Sequence, residues 1–189
     1  DARAFHFGSY AMVVEPVAQA QRALIEREHA QALISYDPNI RPTVEPSLHT
    51  WRDMLAWMLP RTHLLKVSEE DIGLLFPGQA LDALASSWLA QGPRLVVVTR
   101  GGKGALGFTA SAQVQAAPVQ VDVVDTVGAG DTFQAAMLTW LAEHQRLSIA
   151  GLATLDAAAL QDLLGFAMRA AAITCSRRGA DLPRRHELV

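Results

Sequence analysis

The sequence predicts an α/β domain: a doubly wound, mainly parallel sheet with helices on both faces. Two observations carry this prediction. Short apolar runs alternate with stretches of helical period through residues 1–100, which is typical of βαβ units. The run RLVVVTR at 94–100 is continuously apolar, as expected for a strand buried on both faces of a parallel sheet. No linker or repeat divides the 189 residues, so we expect a single domain over 1–189.

Strands and helices are predicted in turn along the first part of the chain. Residues 2–9, ARAFHFGS, have the pattern of a buried strand. A helical period follows over 14–33, and LISYD at 33–37 is a second strand that ends before two prolines. An amphipathic helix is predicted over 48–58 and a third strand over 62–67.

The helix after the third strand begins with a capping signal. Ser68 precedes Asp71 by three positions, which is close to a capping box and predicts a short helix that reaches Phe76. A further helix is predicted over 78–91.

The second part of the chain changes character. Glycines and alternating residues at 101–118 predict one or two hairpin strands. Helices are predicted from Ala129 to about Leu147 and over 156–175. Four tryptophans lie at helical spacings and are expected in the core: Trp51, Trp57, Trp88 and Trp140.

Composition excludes several classes of protein. The net charge of −3, from 16 basic and 19 acidic side chains, gives no electrostatic footprint for nucleic acid or an anionic membrane. The single cysteine, Cys175, cannot form an intramolecular disulfide, and we expect a buried thiol in a cytoplasmic protein. Four arginines near the end are expected to form a solvated basic tail: Arg177, Arg178, Arg184 and Arg185.

The segment DTVGAGDTF at 125–133 is the strongest candidate for a reactive site. Gly128 and Gly130 permit a tight turn that directs several N–H groups the same way, and a predicted helix begins there. Such a turn binds anions. Asp131 would then hold a carboxylate beside an anion site, an arrangement suited to phosphoryl transfer to an alcohol. The alternative is that Asp131 is only a helix cap and the glycines only a turn.

Several longer stretches resemble the ribokinase-like (PfkB) carbohydrate kinases. DTVGAGDTF is similar to their C-terminal signature. Four more segments resemble the family in family order: YDPNIRP at 36–42, LKVSEED at 65–71, VVVTRGGKGAL at 96–106 and AAAITCSRRGA at 170–180. The first two resemble fructokinase-like members. The resemblance implies the C-terminal portion of such a kinase, with the N-terminal part and the small lid absent.

The resemblance also implies roles for individual residues. Asp131 would be the catalytic base, and Gly128, Ala129 and Gly130 would form the anion hole for the transferred phosphate. Lys66 replaces the asparagine of the family's N-x-x-E motif and could face the ATP phosphates.

Further residues are assigned to ATP and to ions by the same resemblance. Glu69 would act on Mg²⁺ through its bound water, although an acid in a first helical turn also favours the helix dipole. The ATP-binding set would include Thr99, Gly101, Gly102 and Arg41. Asp125 and Val127 correspond to a loop that binds a monovalent cation, K⁺, in some members.

Alternatives stay open at the less specific positions. Arg41 is a phosphate ligand or a plain surface charge, Asp37 and Asn39 serve as turn residues or more, and Lys103 is expected to be solvated near the nucleotide.

The resemblance implies ATP-dependent phosphorylation of a sugar hydroxyl, with Mg²⁺ and, in some members, K⁺. The DPNIR stretch favours fructose. The alternatives are another sugar, a sugar acid such as 2-keto-3-deoxygluconate, a nucleoside, or a nucleotide-binding fragment without catalysis. A small-molecule sugar is the expected partner, without nucleic acid or membrane, and a homodimer is expected of the full-length protein.

Overall fold

The computed structural model describes residues 2–188. Within them, six strands form one sheet in chain order: Ala4–Gly8 (β1), Leu33–Asp37 (β2), Leu64–Ser68 (β3), Leu95–Thr99 (β4), Ala105–Phe108 (β5) and Gln113–Ala116 (β6). Strands β1 to β4 pair in parallel, whereas β5 and β6 are antiparallel to their neighbours. The mainly parallel sheet and its hairpin are therefore confirmed.

Helices cover both faces of the sheet. One layer packs on one face: Val17–Glu28 (α1), Leu48–Met58 (α2), Glu69–Leu75 (α3) and Leu81–Leu89 (α4). The other layer packs on the opposite face: Ala129–Glu143 (α5), Ile149–Leu152 (α6) and Ala157–Cys175 (α7). Each face buries its own apolar core, and the predicted doubly wound α/β class is confirmed.

Local chemistry explains where the helices begin. The Ser68 hydroxyl accepts a hydrogen bond from the backbone N–H of Asp71, which confirms the predicted cap of α3. The reciprocal half of the capping box is missing, because the Asp71 carboxylate accepts from the Ile40 N–H at 3.2 Å instead. Burial raises the pKa of that carboxyl.

Several predicted boundaries were too wide. Helix α1 begins only after Pro16, and β1 and β3 are each five residues long. Helix α5 ends at Glu143 rather than near Leu147, since Gln145 takes a left-handed conformation with φ of 58°. Helix α6 was missed because its four residues are too few to establish a period.

Two expectations about side-chain burial were partly wrong. Trp51, Trp88 and Trp140 are buried as predicted, whereas Trp57 is half-buried beneath the Arg61 guanidinium, 4.2 Å from the ring centre. Cys175 is half-buried rather than buried, and desolvation raises the pKa of its thiol.

The basic residues near the end of the chain do not form a free tail. Arg177 forms ion pairs with Glu187 and Asp181, and Arg185 pairs with Glu143 at 2.8 Å. The prediction of a solvated tail is wrong for these two arginines, because acidic side chains of the same surface lie within reach. No helix within 2–188 is long and apolar enough to cross a membrane.

The face of the sheet beneath α5 and α7 changes character along its strands. Near their beginnings, the strands present Leu33, Leu64 and Leu95 to this core. Two residues further along, on the same face, β2 presents Ser35 and β3 presents Lys66. Apolar side chains thus hold the helices at one end of the sheet, and polar side chains gather toward the carboxyl ends of the strands.

Candidate active site

Helix α5 begins at a glycine turn, as the sequence predicted. Gly128 is its N-cap residue and has a left-handed conformation with φ of 79°. A Cβ on Gly128 would also lie 2.8 Å from the Cβ of Ala180, so both conformation and space require glycine. Ala129 begins the helix, and the exposed Asp131 lies in its first turn. The N–H groups of this turn form the candidate anion hole, and that of Ala129 also donates to the Thr126 carbonyl at 3.2 Å.

The glycine turn lies over the carboxyl end of the parallel strands. A Cβ on Gly130 would lie only 3.1 Å from Nζ of Lys66, the central residue of β3. Ligands of open α/β sheets bind at that edge. The start of α5 therefore brings backbone N–H groups and an ammonium group together.

Lys66 is held by a buried carboxylate. Its Nζ donates to Oδ2 of Asp37 at 2.6 Å, and both side chains are 5% exposed. The interpretation of Asp37 as only a turn residue is wrong, because Asp37 ends β2 and forms this ion pair. Asn39 does occupy a turn-like conformation, with φ of 41°.

A second polar bridge ties α5 to the strands. Gln134 donates from Nε2 to Oγ of Ser35 at 2.7 Å, and the same hydroxyl contacts Nδ1 of His6 at 3.1 Å. Desolvation lowers the pKa of His6, although the nearby Asp37 and Asp131 carboxylates oppose that shift. A neutral His6 can accept a hydrogen bond from the Ser35 hydroxyl at Nδ1. The hydrogen bonds then run from α5 through Ser35 to β1.

The loop before α5 is fixed by Asp125. One carboxylate oxygen accepts from the Val127 N–H at 3.0 Å, and the other accepts from the Gly179 N–H at 2.9 Å. These bonds lower the pKa of Asp125. The geometry gives Asp125 a structural task in holding the loop against the end of α7, and the role of Asp125 and Val127 as cation ligands stays a prediction.

Glu69 lies at the start of α3 beside the turn that follows β4. Its carboxylate contacts Nζ of Lys103 at 3.0 Å and Nε of Arg100 at 3.4 Å. The bond to Lys103 lowers the pKa of Glu69. Lys103 is solvated, as predicted, with 66% of its side chain exposed, and it also has an ionic partner in Glu69.

Of the other predicted ATP ligands, Thr99, Gly101 and Gly102 lie near this ion pair, and Arg41 lies apart from it. Thr99 ends β4 opposite Ser68 of β3, and Gly101 begins the following turn with φ of 53° and an exposed Gly102 after it. Arg41 is exposed, and its guanidinium donates to the Ile40 carbonyl at 2.9 Å. The phosphate-binding role of Arg41 stays a prediction.

Sequence reasoning missed three polar residues at this site, His6, Ser35 and Gln134, and did not predict the ion pair of Asp37 with Lys66. Their signal was available as the period of two in the strands. Ser35 and Asp37 alternate with Ile34 and Tyr36, so a strand with apolar neighbours on one face presents polar groups on the other. Which helix covers that polar face depended on topology, which the pattern does not contain.

Comparison with known proteins agrees with this geometry. The family model of the pfkB family carbohydrate kinases matches residues 2–187. The chain belongs to this family. The pfkB assignment accounts for the glycine turn at α5 and for the α/β fold.

Three of the proteins that this chain is similar to are named fructokinases. A fructokinase of Rhizobium leguminosarum bv. trifolii is 38% identical over 162 residues, which cover 86% of this chain and 50% of the relative. The crystal structure of the Xylella fastidiosa fructokinase with bound ATP has a TM-score of 0.89 and 26% identity, covering 99% of this chain and 60% of that one. The Vibrio cholerae O395 fructokinase with fructose, ADP and calcium ion has a TM-score of 0.82 and 26% identity, covering 100% and 60%.

This pfkB chain spans about half the length of the curated relatives that it matches, 50% of the Rhizobium protein. The shares covered do not by themselves identify the half, so the assignment to the C-terminal portion stays a prediction.

Proposed function

We propose that the full-length protein transfers the γ-phosphoryl group of ATP to a sugar hydroxyl. The observation that carries the proposal is the start of α5, where the Asp131 carboxylate stands in the first turn beside the backbone N–H groups of the helix N-terminus. The Lys66 ammonium lies against the same turn at Gly130. A base next to an anion hole is the combination that phosphoryl transfer to an alcohol needs.

The residues of this turn fit a phosphate. Gly130 has no side chain between its backbone and Lys66, so the N–H groups and the ammonium can approach one anion from two sides. When bound, ATP supplies the phosphoryl group and Mg²⁺ neutralises part of the charge on its phosphates. We assign the N–H groups of Gly128, Ala129 and Gly130, together with Lys66, to the oxygens of the transferred group.

Asp131 has the position of a general base. Its carboxylate is exposed, so a hydroxyl group can reach it. In the proposed reaction, Asp131 accepts the hydroxyl proton while the sugar oxygen forms its bond to the γ-phosphorus, and the bond from that phosphorus to the bridging oxygen breaks so that ADP leaves. The anion hole and Lys66 stabilise the negative charge on the phosphoryl oxygens during the transfer.

The described residues provide no cage for a divalent metal. Between residues 2 and 188 there is no cluster of three or more histidine, cysteine, aspartate or glutamate side chains that could hold one. Mg²⁺ commonly binds through substrate phosphates, waters and one or two carboxylates, so a phosphate-bound ion fits this site. Glu69 would act on it only indirectly, since Lys103 and Arg100 already occupy its carboxylate. Thr99, Gly101 and Gly102 would line the nucleotide side.

Fructose is our proposed acceptor. The proposal is supported by the Rhizobium relative and by the Vibrio structure, a fructokinase in its fructose-, ADP- and calcium-bound form. We further propose that K⁺ binds near Asp125 and that the full-length protein is a dimer. We also propose a cytoplasmic location, which is supported by the single free cysteine, Cys175.

The test is ATP-dependent phosphorylation of a panel of acceptors by the full-length protein. Fructose, ribose, 2-keto-3-deoxygluconate and adenosine are each incubated with ATP and Mg²⁺, and the phosphorylated product is identified by mass spectrometry. We expect fructose 6- or 1-phosphate as the dominant product. A dominant sugar acid or nucleoside product would replace fructose as the substrate, and ATP binding without any product would support a non-catalytic nucleotide-binding protein.

A further inference from the structure

We infer that Asp37 is a positioning residue that fixes the ammonium group of Lys66 against the anion hole of α5. The inference rests on the proposed function, because it assigns Lys66 to the transferred phosphate. It adds a task for a carboxylate that the sequence left as a turn residue.

The strand register places the two side chains together. Ser35 and Tyr36 of β2 pair with Leu64 and Leu65 of β3, so one residue further along Asp37 stands opposite Lys66. Both residues lie on the face beneath α5, where cross-strand neighbours approach closely. The 2.6 Å bond therefore joins adjacent strands at the end of the sheet where α5 begins.

The pair is a costly way to stabilise a fold. Removing two charges from water costs free energy, and buried pairs are often no better than apolar residues of similar volume. Within the described part of the chain, Oδ1 of Asp37 is buried without a hydrogen-bond partner, so this carboxylate is only half satisfied. The unused acceptor adds to the free-energy cost of the pair, so its contribution to stability is small.

The direction of the Lys66 side chain gives a reason for keeping this costly buried pair. An ammonium group has three N–H donors, and Asp37 occupies one of them. The Lys66 Nζ would lie 3.1 Å from a Cβ on Gly130, so the free donors are next to the backbone of the α5 turn. Asp37 holds the flexible lysine side chain in this place, and the missing side chain of Gly130 keeps the approach open.

Loss of the carboxylate should therefore affect the rate more than substrate binding. In the full-length protein, we expect Asp37→Asn to lower kcat for fructose phosphorylation by about tenfold or more, with little change in the KM for fructose. Adding Asp37→Asn to Lys66→Met should cause no further loss, since Asp37 acts through Lys66. Glu143→Gln, which breaks the distant exposed pair with Arg185, is the matched control and should leave kcat unchanged.

The lysine content of the chain offers a readout independent of activity. The sequence has only two lysines, each paired with a carboxylate: Lys66 with Asp37 and Lys103 with Glu69. Their side chains are 5% and 66% exposed. We would measure acetylation of each by acetic anhydride with peptide mass spectrometry. We expect Asp37→Asn to accelerate acetylation of Lys66 about tenfold, because the released amine reaches solvent, and to leave Lys103 unchanged.

The outcomes separate the two proposals. If wild-type protein phosphorylates no acceptor but Lys66 is released in Asp37→Asn, the sugar kinase proposal fails and the positioning role of Asp37 stands. If wild-type protein is active and Asp37→Asn keeps both its kcat and its slow Lys66 acetylation, the positioning role is overturned. A multiplicative loss in the double variant also overturns it. Should Asp37→Asn fail to fold, Asp37→Ser, which leaves room for water, is tested in the same two assays.

Discussion

At the scale of single residues, substitution of Gly130 by alanine distinguishes an effect on helix stability from an effect on activity. Glycine to alanine inside a helix normally stabilises a protein by about 0.5–1 kcal/mol. At Gly130 the new Cβ would stand 3.1 Å from Nζ of Lys66 and displace it. We expect Gly130→Ala to keep the melting temperature within a few degrees while lowering kcat by about tenfold.

The control for this substitution is Gly73 in α3. A Cβ there would meet nothing within 4 Å, so Gly73→Ala should raise stability by about 0.5–1 kcal/mol and leave activity unchanged. Thermal unfolding and a steady-state kinase assay on the full-length variants measure both effects. Full activity of Gly130→Ala would remove Lys66 and the turn from the phosphate site.

His63 should make stability depend on pH. Its Nδ1 accepts from the Ile34 N–H at 3.0 Å, and desolvation, with smaller effects of His29 and Arg94, lowers its pKa to about 4. In the unfolded chain His63 gains a proton near its ordinary pKa of 6.5, whereas in the folded protein it gains this proton only near its lowered pKa of about 4. Stability is therefore lost as the pH falls through this window.

Urea unfolding between pH 7 and 4 measures this dependence, and His63→Gln supplies the comparison. The glutamine side chain can still accept from Ile34 but does not titrate, so its curve should be flatter. Equal slopes for the two proteins would show that other groups cause the pH dependence.

The sequence predicted functional residues only where a local pattern revealed them. Asp131, Gly128 and Gly130 were identifiable because the glycines and the acid are neighbours in one turn. The bond between Asp37 and Lys66 joins residues 29 positions apart, and it depends on strand register that no local pattern contains.

At the scale of elements, the loop before α5 depends on Asp125. Its carboxylate binds two backbone N–H groups, at Val127 and at Gly179 after α7. Asp125→Ala leaves both donors without this partner, and we expect a lower free energy of unfolding.

Chemical denaturation measures that loss, and the dependence of kcat on K⁺ is measured alongside it. A structural role alone predicts reduced stability with the K⁺ dependence retained. Loss of the K⁺ dependence in Asp125→Ala would support the cation site, and unchanged stability would contradict the role of the carboxylate in the loop.

Element types followed from sequence more reliably than element ends. The strand at 33–37 and the helix at 48–58 were predicted at their observed bounds, because prolines follow the strand and an amphipathic period marks the helix. The end of α5 was not, since the left-handed residue that stops it is Gln145, a residue type without a turn preference. The short α6 has too few residues for a periodic signal.

At the scale of the whole molecule, the unpaired edge of β1 is where these residues on their own are expected to associate with other chains. Within the described part of the chain, β1 pairs with β2 on one side only. Unpaired edges bind other chains. We expect the 189-residue chain alone to associate as its concentration rises, as seen by sedimentation velocity, and the full-length protein to remain a defined species. A monodisperse 20.4 kDa monomer with sugar-dependent turnover would contradict this account.

The central claim is that Asp131 is the base for phosphoryl transfer, and one measurement tests it most directly. Sugar phosphate formation from ATP and fructose is followed for the full-length protein and its Asp131→Asn variant, with ATP binding measured by calorimetry on both. The account predicts that turnover falls by about 10²–10⁴-fold while ATP binds nearly as before. A variant that binds ATP and keeps more than about a tenth of the wild-type turnover would contradict it.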